Sequence, residues 1–427
     1  MEVTIGFALL GVLLVIGLPV AIALAIAGGV GLYMLGGPQL FTGILTTTPL
    51  SAVNSYEFVM IPMFILMANF IVVSGVSEDM FQIARKWTGR TPGGLAHATA
   101  LTGAAFGAIS GSSTASAATL ASTTIPGMIK QGYNPGFASG VVAISGTLAM
   151  LIPPSGAMII YALLADMSVA HLLIAGVVPG LLVTVTIMLT IFAWVYLRPG
   201  DAPVAQSYSW SEKIRSLGGA WSFLLLFAAV TVVIYTGIGT PTEASAIGAL
   251  IAFLLALSRR TPLRSFVRAG LSTLEASCMI AMIFLGAQVF VYFLTMTQVT
   301  QSLVSWLIAS EIPNIVILIA ILLIYLVLGC FMDLIAMLIL TVPIVSPLVT
   351  QLGYDPVWFA VITIVMGEIG VLTPPLGINV FVISKYTKMP VNVVFRGSYP
   401  HVLAHLILVA VLVAFPALVL WLPSTMN

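Results

Sequence analysis

The chain has 427 residues, of which 60% are hydrophobic and 6% charged, with a mean hydropathy of +1.18. A soluble domain carries roughly 25% charged residues, so a water-soluble globule is excluded and a polytopic membrane protein is indicated. The net charge of +1 gives no basis for a nucleic-acid partner, and two cysteines, Cys278 and Cys330, are too few for a disulfide framework and read as small core residues.

Met1 and Glu2 lead straight into an apolar run with no basic start and no small-residue cleavage site, which reads as a first span and not as a removed signal peptide. Strand-like alternation, the mark of a membrane barrel, is absent. Apolar runs suited to helical crossing fall at residues 3–17, 19–35 and 56–76. A hairpin follows at about 94–128, then a span interrupted by Pro153 and Pro154 at about 133–165, and a span at 172–197. The second half repeats the plan with spans at 217–236, 240–257 and 276–296, a hairpin at about 313–349, a span interrupted by Pro374 and Pro375 at about 354–386, and a last span at 401–422. Residues 198–216 are the long polar stretch between the halves. They read as a cytoplasmic linker dividing a first unit, residues 1–197, from a second, residues 217–427.

The halves share punctuation. Pro126, Gly132, Tyr133, Pro135, Gly146, Leu151, Pro153, Pro154, Gly156, Gly176 and Pro179 each recur 221 positions later, and nine of these eleven identities are Gly or Pro. Such residues specify backbone geometry, so the match points to a duplicated unit. Each Pro-Pro pair removes helix hydrogen bonds inside an apolar run.

The basic residues cluster at positions 85–90, 198–215, 259–268 and 385–396, which marks those loops as cytoplasmic. The segments 221 positions away from the first, third and fourth clusters, at 306–311, 38–47 and 164–175, contain no base. Equivalent loops are therefore expected on opposite sides of the membrane. The fold class this implies is an all-α polytopic protein of two inverted-topology repeats, each with about five crossings, a re-entrant hairpin and a Pro-Pro-broken helix, with both termini outside the cytoplasm. Residues 77–90 and 261–275 mix bases with Phe, Trp and Leu and read as helices lying in the headgroup plane.

Chemistry is expected at the interruptions. The first hairpin tip carries Gly107, Ser110, Ser112, Ser113 and Thr114; its counterpart carries Gly329 and Asp333. Hydroxyls and free carbonyls are hard oxygen donors suited to a small cation such as Na+, and the broken spans add Gly146, Thr147, Gly367, Gly370 and Thr373. Helix restarts favour anions, which makes Ser113, Thr114, Pro154, Ser155, Gly156, Pro375, Gly377 and Asn379 the candidate substrate contacts. One cation site per repeat flanking one anion is the economical arrangement. An ionisable group inside a span costs about 2.5–3.5 kcal/mol and is functional by default; Asp333 reads as a cation ligand or as the residue that orders the tip, and Glu368 as a paired or proton-carrying group. Close packing of small residues is the bland alternative for the Ser/Gly tip.

Glu243, behind Pro241, reads as a helix-start residue, and Glu57 near a span end has no assigned role. No lysine follows a glycine, so a Walker A loop is absent. A Gly-x-Ser-Gly protease motif fails at Ala108. His401 and His405 share a helix face but lack a second pair, which disfavours haem or zinc and leaves an interfacial placement; no cofactor is expected.

The Gly107–Ala117 run, the Ile-Pro-Pro-Ser and Thr-Pro-Pro-Leu-Gly breaks, the Gly-Tyr-Asn-Pro and Gly-Tyr-Asp-Pro turns and the Gly-Thr-Pro-Thr-Glu-Ala motif resemble the large membrane subunit of tripartite ATP-independent periplasmic (TRAP) transporters over essentially the whole chain. The resemblance implies a sodium-coupled importer of organic acids, notably C4-dicarboxylates and sialic acids, working as an elevator in a bacterial inner membrane. It also implies two partners besides the lipid bilayer: a small four-helix membrane subunit and a periplasmic substrate-binding protein. A receptor-independent Na+/dicarboxylate symporter is the nearest alternative, and a membrane-embedded enzyme or scaffold a remote one.

Overall fold

The computed structural model describes residues 2–203 and 207–426, with the side chains of residues 49–53 and 308 left out. Both extreme terminal residues and part of the linker, residues 204–206, therefore lie outside the described residues. Helix is the only regular structure among the described residues. Eight helices there are long and apolar enough to cross a membrane, so the protein is a multi-pass membrane protein.

The first half runs α1 (Glu2–Val15), α2 (Val20–Val53), α3 (Met60–Ser74), α4 (Val76–Thr88), α5 (Gly94–Ser110), α6 (Ser113–Lys130), α7 (Pro135–Thr147), α8 (Gly156–Leu164), α9 (Val169–Ala175) and α10 (Val177–Leu197). The second runs α11 (Trp210–Leu217), α12 (Trp221–Tyr235), α13 (Pro241–Ser258), α14 (Leu263–Thr297), α15 (Val299–Ala309), α16 (Asn314–Phe331), α17 (Leu334–Gln351), α18 (Pro356–Gly370), α19 (Ile378–Thr387), α20 (Val391–Ala414) and α21 (Ala417–Leu420). Helix α17 occupies the residues 221 positions beyond α6, and α18 starts 221 beyond α7. The local chemistry recurs with them. Asn134 caps α7 by accepting from Gly136 and Phe137, and Asp355 caps α18 by accepting from Val357 and Trp358. Tyr133 stacks on Phe137, and Tyr354 on Trp358.

The helices pack in two groups. In one, α2 lies along α14, α3 along α13 and α14, and α12 along α13. Lipid offers no hydrophobic drive for helix association, so small residues allow backbones to approach. A Cβ at Gly28 would lie 2.7 Å from Phe290 Cα, and one at Gly286 would lie 2.1 Å from the Ala21 carbonyl oxygen. The other group holds the hairpins α5–α6 and α16–α17 with the interrupted spans. There α6 packs on α19 and α17 on α8, so the second arm of each hairpin rests on the other half's restarted helix. Helices α7 and α20 also meet across the halves, where a Cβ on Gly140 would lie 2.1 Å from the Gly397 carbonyl oxygen.

Four expectations are corrected. Residues 261–275 are not a separate helix in the headgroup plane: they continue into the following span as α14, 35 residues long. Residues 77–90 do form a separate helix, α4, because Gly75 turns the chain at φ +78°; Asp79 on it pairs with Arg259 at 2.5 Å. The second span does not end near residue 35; the chain bends at Gly36 and Gly37 and helix resumes to Val53. Cys330 is buried as expected, whereas Cys278 is exposed on α14. Finally, His401 and His405 are not interfacial but fully buried, with His405 Nδ1 2.7 Å from the His401 carbonyl oxygen.

Gly397→Ala is expected to lower thermal stability by about 1–3 kcal/mol through overpacking, whereas Gly43→Ala, inside α2 with nothing within 4 Å of its Cβ, does not lower it and raises it by up to about 1 kcal/mol through helix propensity. Unfolding midpoints of the detergent-solubilised variants test this; equal midpoints contradict the close contact of α7 and α20.

Candidate functional site

Each hairpin tip rests on its own half's Pro-Pro break. Gly111 ends α5 at φ +58°, and a Cβ on it would lie 3.2 Å from the Gly156 amide nitrogen. One turn back, a Cβ on Gly107 would lie 2.8 Å from the Ala149 nitrogen, so only glycine admits this approach. In the second half the Gly377 N–H donates to the Cys330 carbonyl at 3.4 Å. There Gly329 meets α18, its added Cβ lying 2.7 Å from the Gly367 oxygen and 2.9 Å from Gly370 Cα. Gly146 faces Ala117 on α6.

The tip side chains are helix caps. Ser112 accepts from the Ala115 N–H at 3.4 Å and Asp333 accepts from the Ile335 N–H at 3.1 Å. These positions open α6 and α17, where a side-chain oxygen satisfies otherwise orphaned N–H groups. Ser110 and Ser116 share a 2.6 Å hydroxyl contact, and Thr114 lies 3.3 Å from Ser112. Ser113 and Ser116 are buried. Ser155 is also committed locally: fully buried, it donates to the Met150 carbonyl at 2.5 Å and accepts from the Met158 N–H.

The two breaks differ in exposure. Pro153 and Pro154 are buried, whereas Pro374 and Pro375 are exposed and Thr373 is half-buried. Asn379, one residue into α19, is fully buried, and neither atom of its amide meets a protein partner.

A cavity of about 330 Å³ opens between the two helix groups. Ser110, Gly111, Ser112, Pro154 and Gly156 line one wall, and Asn69, Ser272 and Met279 the other. Among the described residues no charged side chain lines it, so a bound anion would be held by hydroxyls, an amide and helix ends. Of the second half's candidate residues, none lines this cavity. Asn69 and Ser272 went unassigned in the sequence; an amide inside the apolar α3 is the signal that could have singled out the first.

Thr147 and Glu368, at equivalent positions of the two halves, line one further cavity of about 10 Å³ together with His405. Both Glu368 oxygens lack a protein donor. The space suits a single water, which needs roughly 10–15 Å³. At the start of α13, Glu243 does cap: its carboxylate accepts from the Thr240 N–H at 2.7 Å while the Thr240 hydroxyl accepts from the Glu243 N–H.

The model of the DctM component of tripartite ATP-independent periplasmic transporters matches residues 7–418. The chain belongs to this family. The C4-dicarboxylate TRAP transporter large permease protein DctM of Pseudomonas aeruginosa is 35% identical over 371 residues, covering 86% of either chain. The sialic acid TRAP transporter large permease protein SiaM of Vibrio cholerae is 30% identical over 377 residues, covering 88% of either chain. The crystal structure of the Alcanivorax borkumensis YdaH transporter shares the fold, with a TM-score of 0.66 at 16% identity over 94% of this chain and 98% of that one. As a TRAP large permease the protein is a transporter subunit and not an enzyme.

Val72 lines the 330 Å³ cavity from a partly exposed position. Val72→Trp is expected to fill it and reduce solute uptake to background with the unfolding midpoint retained. Full uptake by this variant would show that solute does not pass through this cavity.

Proposed function

We propose that this chain imports an organic acid anion across a bacterial inner membrane, drawing on a sodium gradient. The observation that carries the proposal is the uncharged 330 Å³ cavity built from the first hairpin tip and the Pro154–Gly156 break against the α3 and α14 wall. Helix starts and hydroxyls there suit a carboxylate, and two of the solutes for which relatives are named, C4-dicarboxylates and sialic acid, are carboxylates, while others are the sulfonate isethionate and the zwitterion ectoine. Sodium is assigned to the two tip regions: Gly107, Ser110, Ser112, Ser113, Gly146 and Thr147 in the first half, and Gly329, Asp333, Gly367, Gly370 and Thr373 in the second. Thr114 and Ser155 flank this cavity and complete the first half's proposed anion contacts, positional for Ser155, whose hydroxyl is committed as a cap; Pro375, Gly377 and Asn379, which do not line the cavity in this conformation, are proposed as the second half's contacts.

The two helix groups supply an elevator. The hairpins and interrupted spans move as one block against α2, α3, α13 and α14, carrying the site across, and the inverted relation of the halves makes the inward and outward states equivalent. The tripartite nature of the family supports two partners, a small four-helix membrane subunit and a periplasmic substrate-binding protein that delivers the solute. Both chain termini face the periplasm in this arrangement, with the basic loops in the cytoplasm.

Proteoliposomes containing the chain and its small subunit test this reading. An inward sodium gradient plus the cognate periplasmic protein loaded with a C4-dicarboxylate or sialic acid is expected to drive uptake. Uptake without the periplasmic protein would favour a receptor-independent symporter, and preference for a zwitterionic solute would refute the acid assignment. Asp333→Asn separates capping from ion binding. Asn caps as well as Asp, so stability should change by less than about 0.5 kcal/mol, while sodium-dependent uptake is lost; retained sodium dependence would leave Asp333 a cap alone.

A further inference from the structure

One groove on the molecule is unrelated to the candidate transport site. It has a volume of about 730 Å³ and runs between α10 and α20. On α10 it is lined at positions 186, 189, 190, 193, 194 and 197, and on α20 at 399, 400, 403, 404, 407, 408 and 411. Both sets are single helical stripes at three- and four-residue spacing. The depth comes from small residues, Ala193 and Ala404, between larger neighbours. The groove is apolar in effect, because the Thr186 and Thr190 hydroxyls donate to their own helix, to the Leu182 and Thr186 carbonyls. Leu189, Leu403 and Ile407 stand about 60% exposed along it.

One end is different. Arg198 at the end of α10 and Arg396 in the first turns of α20 both lie there, and neither has an ion-pair partner among the described residues. They also line an adjoining cavity of about 310 Å³ with Asn134 and Asp201. The Asp201 carboxylate is occupied by the Trp194 indole N–H at 2.9 Å and the Asn134 amide at 3.1 Å. Two guanidinium groups against one carboxylate leave this end with one net positive charge.

The dimensions match one leaflet. At 1.5 Å per residue the stripe from Arg396 to Val411 runs about 22 Å and that from Thr186 to Arg198 about 18 Å, against about 20–22 Å for half of a bilayer that is about 40–45 Å thick with its headgroups. Arg198 and Arg396 belong to the basic clusters that mark the cytoplasmic face. We propose that this groove is a binding site for one anionic glycerophospholipid of the cytoplasmic leaflet, its phosphodiester between Arg198 and Arg396 and its acyl chains along α10 and α20. Guanidinium groups pair with phosphate oxygens in bidentate fashion, and Trp194, over which Arg198 lies at 5.8 Å, places an amphipathic ring at headgroup level.

The full-length chain, purified in mild detergent from membranes containing phosphatidylglycerol and phosphatidylethanolamine, tests this by native mass spectrometry. The expected result is one retained phosphatidylglycerol per chain, preferred over phosphatidylethanolamine by roughly fivefold, the attraction of one net positive charge at a membrane surface. Arg198→Gln with Arg396→Gln should abolish the preference, and Ala404→Trp should release the lipid by filling the trough. Equal retention of both lipids by the unaltered chain, or an unchanged preference in the double variant, overturns the proposal. So does full displacement by water-soluble glycerophosphoglycerol, which would make the site one for a soluble anion. None of these readouts depends on transport.

Discussion

The hydrocarbon interior supplies no water to hydrogen-bond an exposed N–H or C=O, so a helix can be interrupted at membrane depth only where protein covers the interruption or a water-filled cavity reaches it. Everything around the Pro-Pro pairs follows from that requirement. Gly111 lies against Gly156 and Cys330 accepts from Gly377, so each hairpin tip closes over the break in its own half. Gly107, Gly329, Gly367 and Gly370 let the backbones approach at distances a side chain would forbid. The caps complete the coverage: Ser112, Asp333 and Ser155 occupy helix starts where N–H groups have no intrahelical acceptor.

The two halves are tied together by exchange. Helix α6 rests on α19 and α17 on α8, and α7 meets α20 through Gly140 and Gly397. Part of the cover of each interrupted span therefore comes from the other half. Thr147 and Glu368 meet on one small cavity for the same reason. The halves are still unequal: the first break is buried and borders the 330 Å³ cavity, while the second is exposed at Pro374 and Pro375. A serine tip and an aspartate tip extend that inequality to the chemistry.

The surrounding helices meet a weaker constraint. Their backbones satisfy themselves, so packing depends on small residues such as Gly28 and Gly286 and on a few polar ties. Asp79 on α4 pairs with Arg259 at the end of α13, and Asn69 donates to Thr273. The cavity lies where this self-sufficient group faces the interlocked one, and the α10–α20 groove lies on an exposed face of the latter.

The helix ends around the Pro-Pro pairs were legible in the sequence because proline and glycine act on the backbone where they stand. The boundaries of α6 and α17, and the caps at Asn134 and Asp355, follow from such local chemistry. Which face of a helix turns inward was not legible. In a soluble protein polar residues mark the outer face, but lipid and protein interior are both apolar, so the sequence carries no comparable signal. Cys278 therefore proved exposed and His401 and His405 buried. The unbroken course of α14, and the placing of Asn69 and Ser272 opposite the first hairpin tip, likewise arose only when distant helices packed.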